Sequence, residues 1–150
     1  MVKWTRIMYL IGAWLFPGAI LVQVFFVGLS LFTGQAYWRT HMVFGHLIGM
    51  LPLLLVVLGY LGRLPHPAKR LTWLLFGVYF VQAEIFALIR PAAPMLAALH
   101  PVLALVLFAV ALNIALRARA FVQAPVRTVT TSEPPVVPIE GWGNPGEEKM

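Results

Sequence analysis

Four long apolar stretches, separated by short polar connections, dominate the chain. The first follows Arg6 and continues without a charged residue to about Thr33. Each of the four stretches is close to or above the roughly 20 residues that a helix needs to cross the hydrocarbon of a bilayer. The pattern therefore predicts four membrane-spanning helices, at about 7–32, 42–61, 71–89 and 95–116.

The connections between these stretches are short, and residues 63–70 and 90–94 are rich in proline and basic residues. Short connections place consecutive helices side by side in opposite directions. We therefore expect an all-α integral membrane protein, an up-and-down four-helix bundle over residues 1–119, with Pro52 as a kink point. Residues 120–150 are rich in Pro, Thr, Glu and Gly and show no apolar periodicity. They predict a flexible, disordered C-terminal tail on the cytoplasmic side.

Composition supports the membrane class and narrows the chemistry. Hydrophobic residues make up 61% of the chain, far more than in a soluble globular domain. The absence of cysteine excludes disulfides, thiolate metal sites, iron–sulfur clusters and thioether-linked haem. Any metal chemistry must therefore use histidine, methionine or carboxylate ligands.

The net charge of +6 is explained by membrane topology. The cations gather on the side of the predicted bundle that holds the N-terminus, and the positive-inside rule makes that side cytoplasmic. We expect a multi-pass protein of the bacterial inner membrane with both termini in the cytoplasm, attraction to anionic lipid head groups, and no nucleic-acid binding. The cations on the N-terminal side are Lys3, Arg6, Arg63, Lys69, Arg70, Arg117 and Arg119, and those on the other side are Arg39 and Arg90.

An internal repeat relates the two halves of the predicted bundle. Residues 21–29 align with residues 80–88, which places Gln23 over Gln82. If the first connection is taken as five residues longer than its counterpart, His46 falls over His100. The sequence then predicts two parallel two-helix repeats related by a pseudo-two-fold axis along the membrane normal.

This alignment sets His46 and His100 on opposite sides of the axis at similar depth. His46 lies roughly 10 Å in from Arg39 and His100 roughly 9 Å in from Pro94, both in the outer half of the bilayer. Two opposed imidazoles are the axial ligands that a six-coordinate haem b requires. The alternative is that each histidine forms a hydrogen bond to a neighbouring helix.

Three further polar residues are candidates near this site. Gln23 and Gln82 could donate hydrogen bonds to haem propionates or an axial imidazole, or bond to each other across the bundle. His41 lies beside Arg39 and could meet a propionate or be a solvated interfacial residue. Gly45 and Gly49 would admit either a flat macrocycle or a packed helix.

Glu84 is the only acidic residue within the predicted spans. It lies two positions from Gln82, about 200° round a helix, so the two side chains cannot both face the bundle centre. If Gln82 points inward, Glu84 points towards lipid, a neighbouring helix or a partner subunit. We expect Glu84 to mark a proton path or a protein interface.

The chain also resembles a family of small bacterial four-span membrane proteins of unassigned function. The resemblance covers roughly residues 5–119, and its motifs are Gln23 with residues 27–29, His46, Gln82, and the segment Leu99-His100-Pro101-Val102. The two-helix repeat with one histidine per half is similar to the haem-binding halves of haem A synthase and to four-helix b-type cytochromes. The chain differs from haem A synthase in having a single four-helix unit and no paired cysteines.

Three classes of function fit these features. The first is a b-type cytochrome that carries electrons between a membrane quinone or a protein partner and an acceptor near the outer face. The second is an accessory or structural subunit of a larger membrane complex. The third is a small proton-coupled transporter, which four spans form most easily as an oligomer. We expect an electron-transfer or accessory membrane subunit rather than a stand-alone enzyme.

Overall fold

The computed structural model describes residues 1–125, which form four long helices and no strand. All four helices are long and apolar enough to cross a membrane. The prediction of a multi-pass helical membrane protein is therefore confirmed. The helices are α1 (Val2–Thr33), α2 (Tyr37–Leu61), α3 (His66–Ile89) and α4 (Pro94–Gln123).

The helices extend beyond the predicted apolar spans at several ends. The helix α4 continues to Gln123, so the first residues of the predicted tail still belong to it. The remainder of that prediction, from residue 126 onward, lies outside the described residues. Each helix packs against the next along the chain, and α1 closes the ring against α4. This is the predicted up-and-down four-helix bundle.

Three of the helices contain local interruptions. The helix α2 is broken at Gly49, between Tyr37–Ile48 and Met50–Leu61. Pro52 lies just beyond this break and has no N–H to donate to the carbonyl of Ile48. The helix α3 contains a π-helical turn at Val81–Ile85, and α4 begins with a single turn, Pro94–Ala97, before its long segment at His100.

The buried residues of the structure show an internal repeat with a constant spacing, whereas the alignment expected from the sequence contains a gap. Residues that occupy equivalent positions in the two halves are both buried and are 59 residues apart, without any gap. The gap of five residues that we expected in the first connection is therefore wrong. Five of these buried pairs are Phe16 with Leu75, Ile20 with Tyr79, Ile48 with Leu107, Pro52 with Ala111, and Leu55 with Ile114.

A polar contact crosses the core in the half of the bundle nearer the N-terminus. Thr72 Oγ1 donates to the carbonyl of Ala68 at 2.8 Å, so the Tyr9 hydroxyl donates to Thr72 Oγ1, also at 2.8 Å. All three residues are almost fully buried. Interhelical hydrogen bonds of this kind stabilise a membrane bundle by about 0.6 kcal/mol on average. The contact holds α1 and α3 at a fixed distance across the bundle.

Arg6 joins three helices at the same end of the bundle. Its buried guanidinium donates to Gly62 O at 2.8 Å and to Arg63 O at 3.2 Å, after the end of α2. It also donates to Val122 O at 2.8 Å and Ala124 O at 2.6 Å, at the end of α4. The last carbonyls of a helix have no intrahelical partner and carry partial negative charge, so a cation stabilises them.

Candidate cofactor site

Two histidines meet at the opposite end of the bundle, where the short connections after α1 and α3 lie. The ring centres of His41 and His100 are 6.4 Å apart and the ring planes are inclined at 67°. His41 lies in the second turn of α2, and His100 begins the long segment of α4. The histidine that the fold brings next to His100 is thus His41.

The expected pairing of His46 with His100 is corrected by this geometry. Five residues separate His41 from His46, which corresponds to about 140° round an α-helix. Because His41 faces α4 and the bundle interior, His46 faces away from them. The constant spacing of 59 residues gives the same result, since it relates His100 to His41.

The two imidazoles are held in equivalent ways. His41 Nδ1 lies 3.2 Å from Gln23 O, and His100 Nδ1 lies 3.2 Å from Gln82 O. A carbonyl oxygen can only accept, so each Nδ1 carries the hydrogen and donates. In the neutral ring this leaves the lone pair on Nε2, and within residues 1–125 neither Nε2 forms a hydrogen bond.

The π-helical turn in α3 explains why Gln82 O is available to His100. In a regular α-helix the amide of Phe86 would donate to the carbonyl of Gln82. In this turn it donates to Val81 O instead. Turns of this kind are rare and occur frequently at functional sites. The turn therefore leaves the carbonyl of Gln82 free to accept the hydrogen bond from His100 Nδ1.

The side chains of the two glutamines also lie at this site. Gln82 is 7% exposed, and its Nε2 donates to the carbonyl of His100 at 3.0 Å. The buried Oε1 atoms of Gln23 and Gln82 find no hydrogen-bond partner within the part of the chain that the structure describes. Buried polar atoms without a partner are uncommon, and one explanation is a ligand or ion beside them. Both amide oxygens occupy equivalent positions in the repeat.

Aromatic side chains border the histidine pair. The ring of Trp38 meets His41 edge to face with ring centres 5.7 Å apart. Phe86 lies against His100 at 6.2 Å. These contacts limit rotation of the imidazoles and place an aromatic ring beside each of them.

His46 and Glu84 form a second polar pair, on the outside of the bundle. His46 Nε2 lies 3.8 Å from Glu84 Oε1, and the two side chains are 63% and 46% exposed. His46 Nδ1 donates to Met42 O in its own helix at 2.8 Å. Gln82 thus faces the interior while Glu84 faces the surface between α2 and α3. His66, the remaining histidine, is exposed at the start of α3.

The space beside Gly45 and Gly49 is filled by side chains of neighbouring helices. A Cβ on Gly45 would lie 2.5 Å from Gln23 Nε2, and a Cβ on Gly49 would overlap the ring of Tyr79. The Tyr79 hydroxyl donates to Gly45 O at 2.9 Å. Of the two alternatives for this glycine pair, the structure shows packing between helices.

The number of ligating side chains at the histidine pair limits the kind of metal group that could bind there. Among residues 1–125 no group of three or more His, Cys or acidic side chains could hold a metal ion. Two imidazoles alone are too few for a bare ion, and two such ligands would suffice only for a metal already bound by a macrocycle. Ligating histidines usually donate the other ring N–H to a carbonyl or carboxylate, as His41 and His100 do.

Sequence reasoning missed two residues that the structure makes important. Arg6 was interpreted only as a topology signal, yet it is buried and bonds to four carbonyls. Tyr79 fixes the contact between α3 and α2 at Gly45 and Gly49. The sequence signal for Tyr79 is its position in the repeat, because it aligns with the apolar Ile20, 59 residues earlier.

The comparison with known families agrees with the expected resemblance at a coarse level. Residues 23–88 match the model of a family described as a family of unknown function (DUF6220). The matched segment includes Gln23, His41, His46, Gln82 and Glu84 and ends before His100. No curated protein and no solved structure matches the chain.

Proposed function

We propose that this chain is a b-type cytochrome-like membrane protein that binds one haem b between His41 and His100 and transfers electrons. The observation that carries the proposal is the equivalent placement of these two imidazoles. Each comes from the second helix of a repeat and donates Nδ1–H to a glutamine carbonyl in the first helix. In the neutral ring, each Nε2 keeps a lone pair that could bind a metal.

The separation of the rings fits this role. Two imidazoles that coordinate one metal ion from opposite sides, with metal–nitrogen distances of about 2.0 Å, have ring centres roughly 6 Å apart. The ring centres of His41 and His100 are 6.4 Å apart.

The remaining residues of the site would orient the group and shield it. Gln82 supports the backbone of His100 through its Nε2. The amide oxygens of Gln23 and Gln82 could accept hydrogen bonds from a protonated propionate or from an ordered water. His41 and His100 would hold the haem, which would supply one-electron chemistry. With both histidines as its ligands, electron transfer would be favoured over oxygen chemistry.

The distribution of charge supports an orientation. Among residues 1–125, seven cations lie at the end of the bundle where α1 begins, and only Arg39 and Arg90 lie at the histidine end. By the positive-inside rule, the termini face the cytoplasm of a bacterial inner membrane. The histidine pair then lies in the outer half of the bilayer, where it could pass electrons to an acceptor at the outer face.

A visible spectrum tests this function. The protein is expressed in haem-replete cells, purified in mild detergent and measured oxidised and after reduction with dithionite. We expect a Soret band, sharp reduced α and β bands, and one haem per chain. The bands should be absent from the double variant His41→Ala/His100→Ala and retained in His66→Ala. A colourless wild-type protein would contradict the proposal.

A further inference from the structure

A groove open to the surrounding lipid runs between α2 and α3, outside the histidine pair. Its volume is about 390 Å³. The walls are apolar except at one end, where His46 and Glu84 lie, and the main wall residues are Met50, Leu53, Phe76 and Phe80. The groove therefore combines an apolar channel with a single polar end.

The polar end is built for a hydrogen-bonding ligand. His46 Nδ1 donates to Met42 O, so Nε2 of the neutral ring presents a lone pair towards the groove. The distance of 3.8 Å from Nε2 to Glu84 Oε1 is too long for a direct hydrogen bond. The carboxyl group accepts hydrogen bonds and, when protonated, also donates. Each side chain therefore keeps hydrogen-bonding capacity for a third group.

The depth of this pair restricts what the third group can be. His46 lies roughly 10 Å in from Arg39, and Glu84 lies roughly 9 Å in from Arg90, along their helices. Ionisable residues at such depth are costly and usually have a functional partner. Because a charged lipid head group stays at the interface, the ligand that reaches this pair must be uncharged and carry its polar atoms within the hydrocarbon.

The walls of the groove favour a planar ring. The rings of Phe76 and Phe80, one helical turn apart in α3, both line the groove, with ring centres 6.4 Å apart and ring planes inclined at 31°. Aromatic surfaces attract other flat rings by offset stacking. An uncharged, ring-headed molecule that dissolves in the bilayer would meet both the walls and the polar end.

We propose that this groove binds the head ring of a membrane quinone or quinol, with His46 and Glu84 as its hydrogen-bonding residues. A quinol hydroxyl would donate to His46 Nε2, and a quinone carbonyl would accept from a protonated Glu84 or His46. The choice of a redox-active ring rests on the proposed function. The π-helical turn Val81–Ile85 connects the two sites, because Gln82 faces His100 from it and Glu84 faces the groove.

The binding test uses decylubiquinone, a benzoquinone with a short tail, titrated into the purified full-length protein and followed by calorimetry. We expect His46→Leu and Glu84→Leu each to weaken binding about tenfold, since each removes one hydrogen bond to the ring. His66→Leu, which removes an exposed histidine outside the groove, should bind as the wild type does. Thermal unfolding and visible spectra of every variant check folding and haem content.

The outcomes separate this inference from the proposed function. Unchanged affinity in both groove variants, or no binding by the wild type, overturns the inference whatever the haem content. Tighter binding of oleate than of decylubiquinone by the wild type would identify a lipid as the occupant and also overturn it. Loss of decylubiquinone binding in the groove variants of a protein that lacks haem would support the quinone site and contradict the proposed cytochrome.

Discussion

His41 and His100 lie with their ring centres 6.4 Å apart, each anchored by Nδ1 to a backbone carbonyl 18 residues earlier in the chain. The two rings thus occupy equivalent positions in two successive helix pairs. The repeat that buries matched apolar residues therefore also brings these two matched polar residues together.

The first prediction concerns Gln82, whose Nε2 donates to the carbonyl of His100. We expect Gln82→Leu to lower the free energy of unfolding by about 0.6–1.7 kcal/mol, between the average and the largest value measured for interhelical hydrogen bonds in a membrane bundle. Thermal unfolding in detergent measures the change. The control is Gln35→Leu, in the exposed connection after α1. Equal stability of the two variants would contradict the role of Gln82.

The second prediction concerns Gly49, where α2 packs against Tyr79. We expect Gly49→Ala to destabilise the protein by about 1–3 kcal/mol, because the added methyl group overlaps the tyrosine ring. Gly28→Ala is the matched control, since nothing lies within 4 Å of its Cβ position. In a Tyr79→Leu background the Gly49→Ala substitution should cost much less. An equal cost in both backgrounds would show that the contact is not responsible.

The third prediction concerns Arg6. Its guanidinium donates to carbonyls at the ends of α2 and α4, and hydrogen bonds to charged groups contribute about 1.5–3 kcal/mol. We expect Arg6→Met to lower the free energy of unfolding by at least this amount. Arg6→Lys should recover only part of it, because an ammonium group lacks the planar fork.

Lys3→Met provides the control for Arg6, since it removes an exposed cation from the same helix. It should leave the unfolding transition nearly unchanged. If Lys3→Met and Arg6→Met destabilise the protein equally, the effect would be one of net charge and not of the carbonyl contacts.

The number and order of the helices could be predicted from the sequence, because apolar run length is a direct consequence of bilayer thickness. The pairing of the histidines could not be predicted by matching depth and residue type, which favoured His46. The better signal was the spacing of 59 residues, which relates Gln23 to Gln82 and His41 to His100 without a gap. Helix periodicity then turns His46 away from the interior.

Other features of the site depend on single hydrogen bonds and leave no signal in the sequence. The π-helical turn at Val81–Ile85 shifts the partner of one amide by one residue and frees the carbonyl that His100 uses. The approach of Tyr79 to Gly49 depends on the angle between α2 and α3. Composition and periodicity do not specify the π-helical turn or the contact of Tyr79 with Gly49, because these two features follow from packing in the folded bundle.

The most direct measurement compares the haem content of two variants purified in parallel, His41→Ala and His46→Ala. Each variant replaces one histidine of α2 by alanine. The two variants differ only in the face of the helix from which the imidazole is removed. We expect His41→Ala to lose the Soret band and His46→Ala to retain a full complement of haem. Retention of haem by His41→Ala, or its loss from His46→Ala alone, would contradict the assignment of His41 and His100 as the ligand pair.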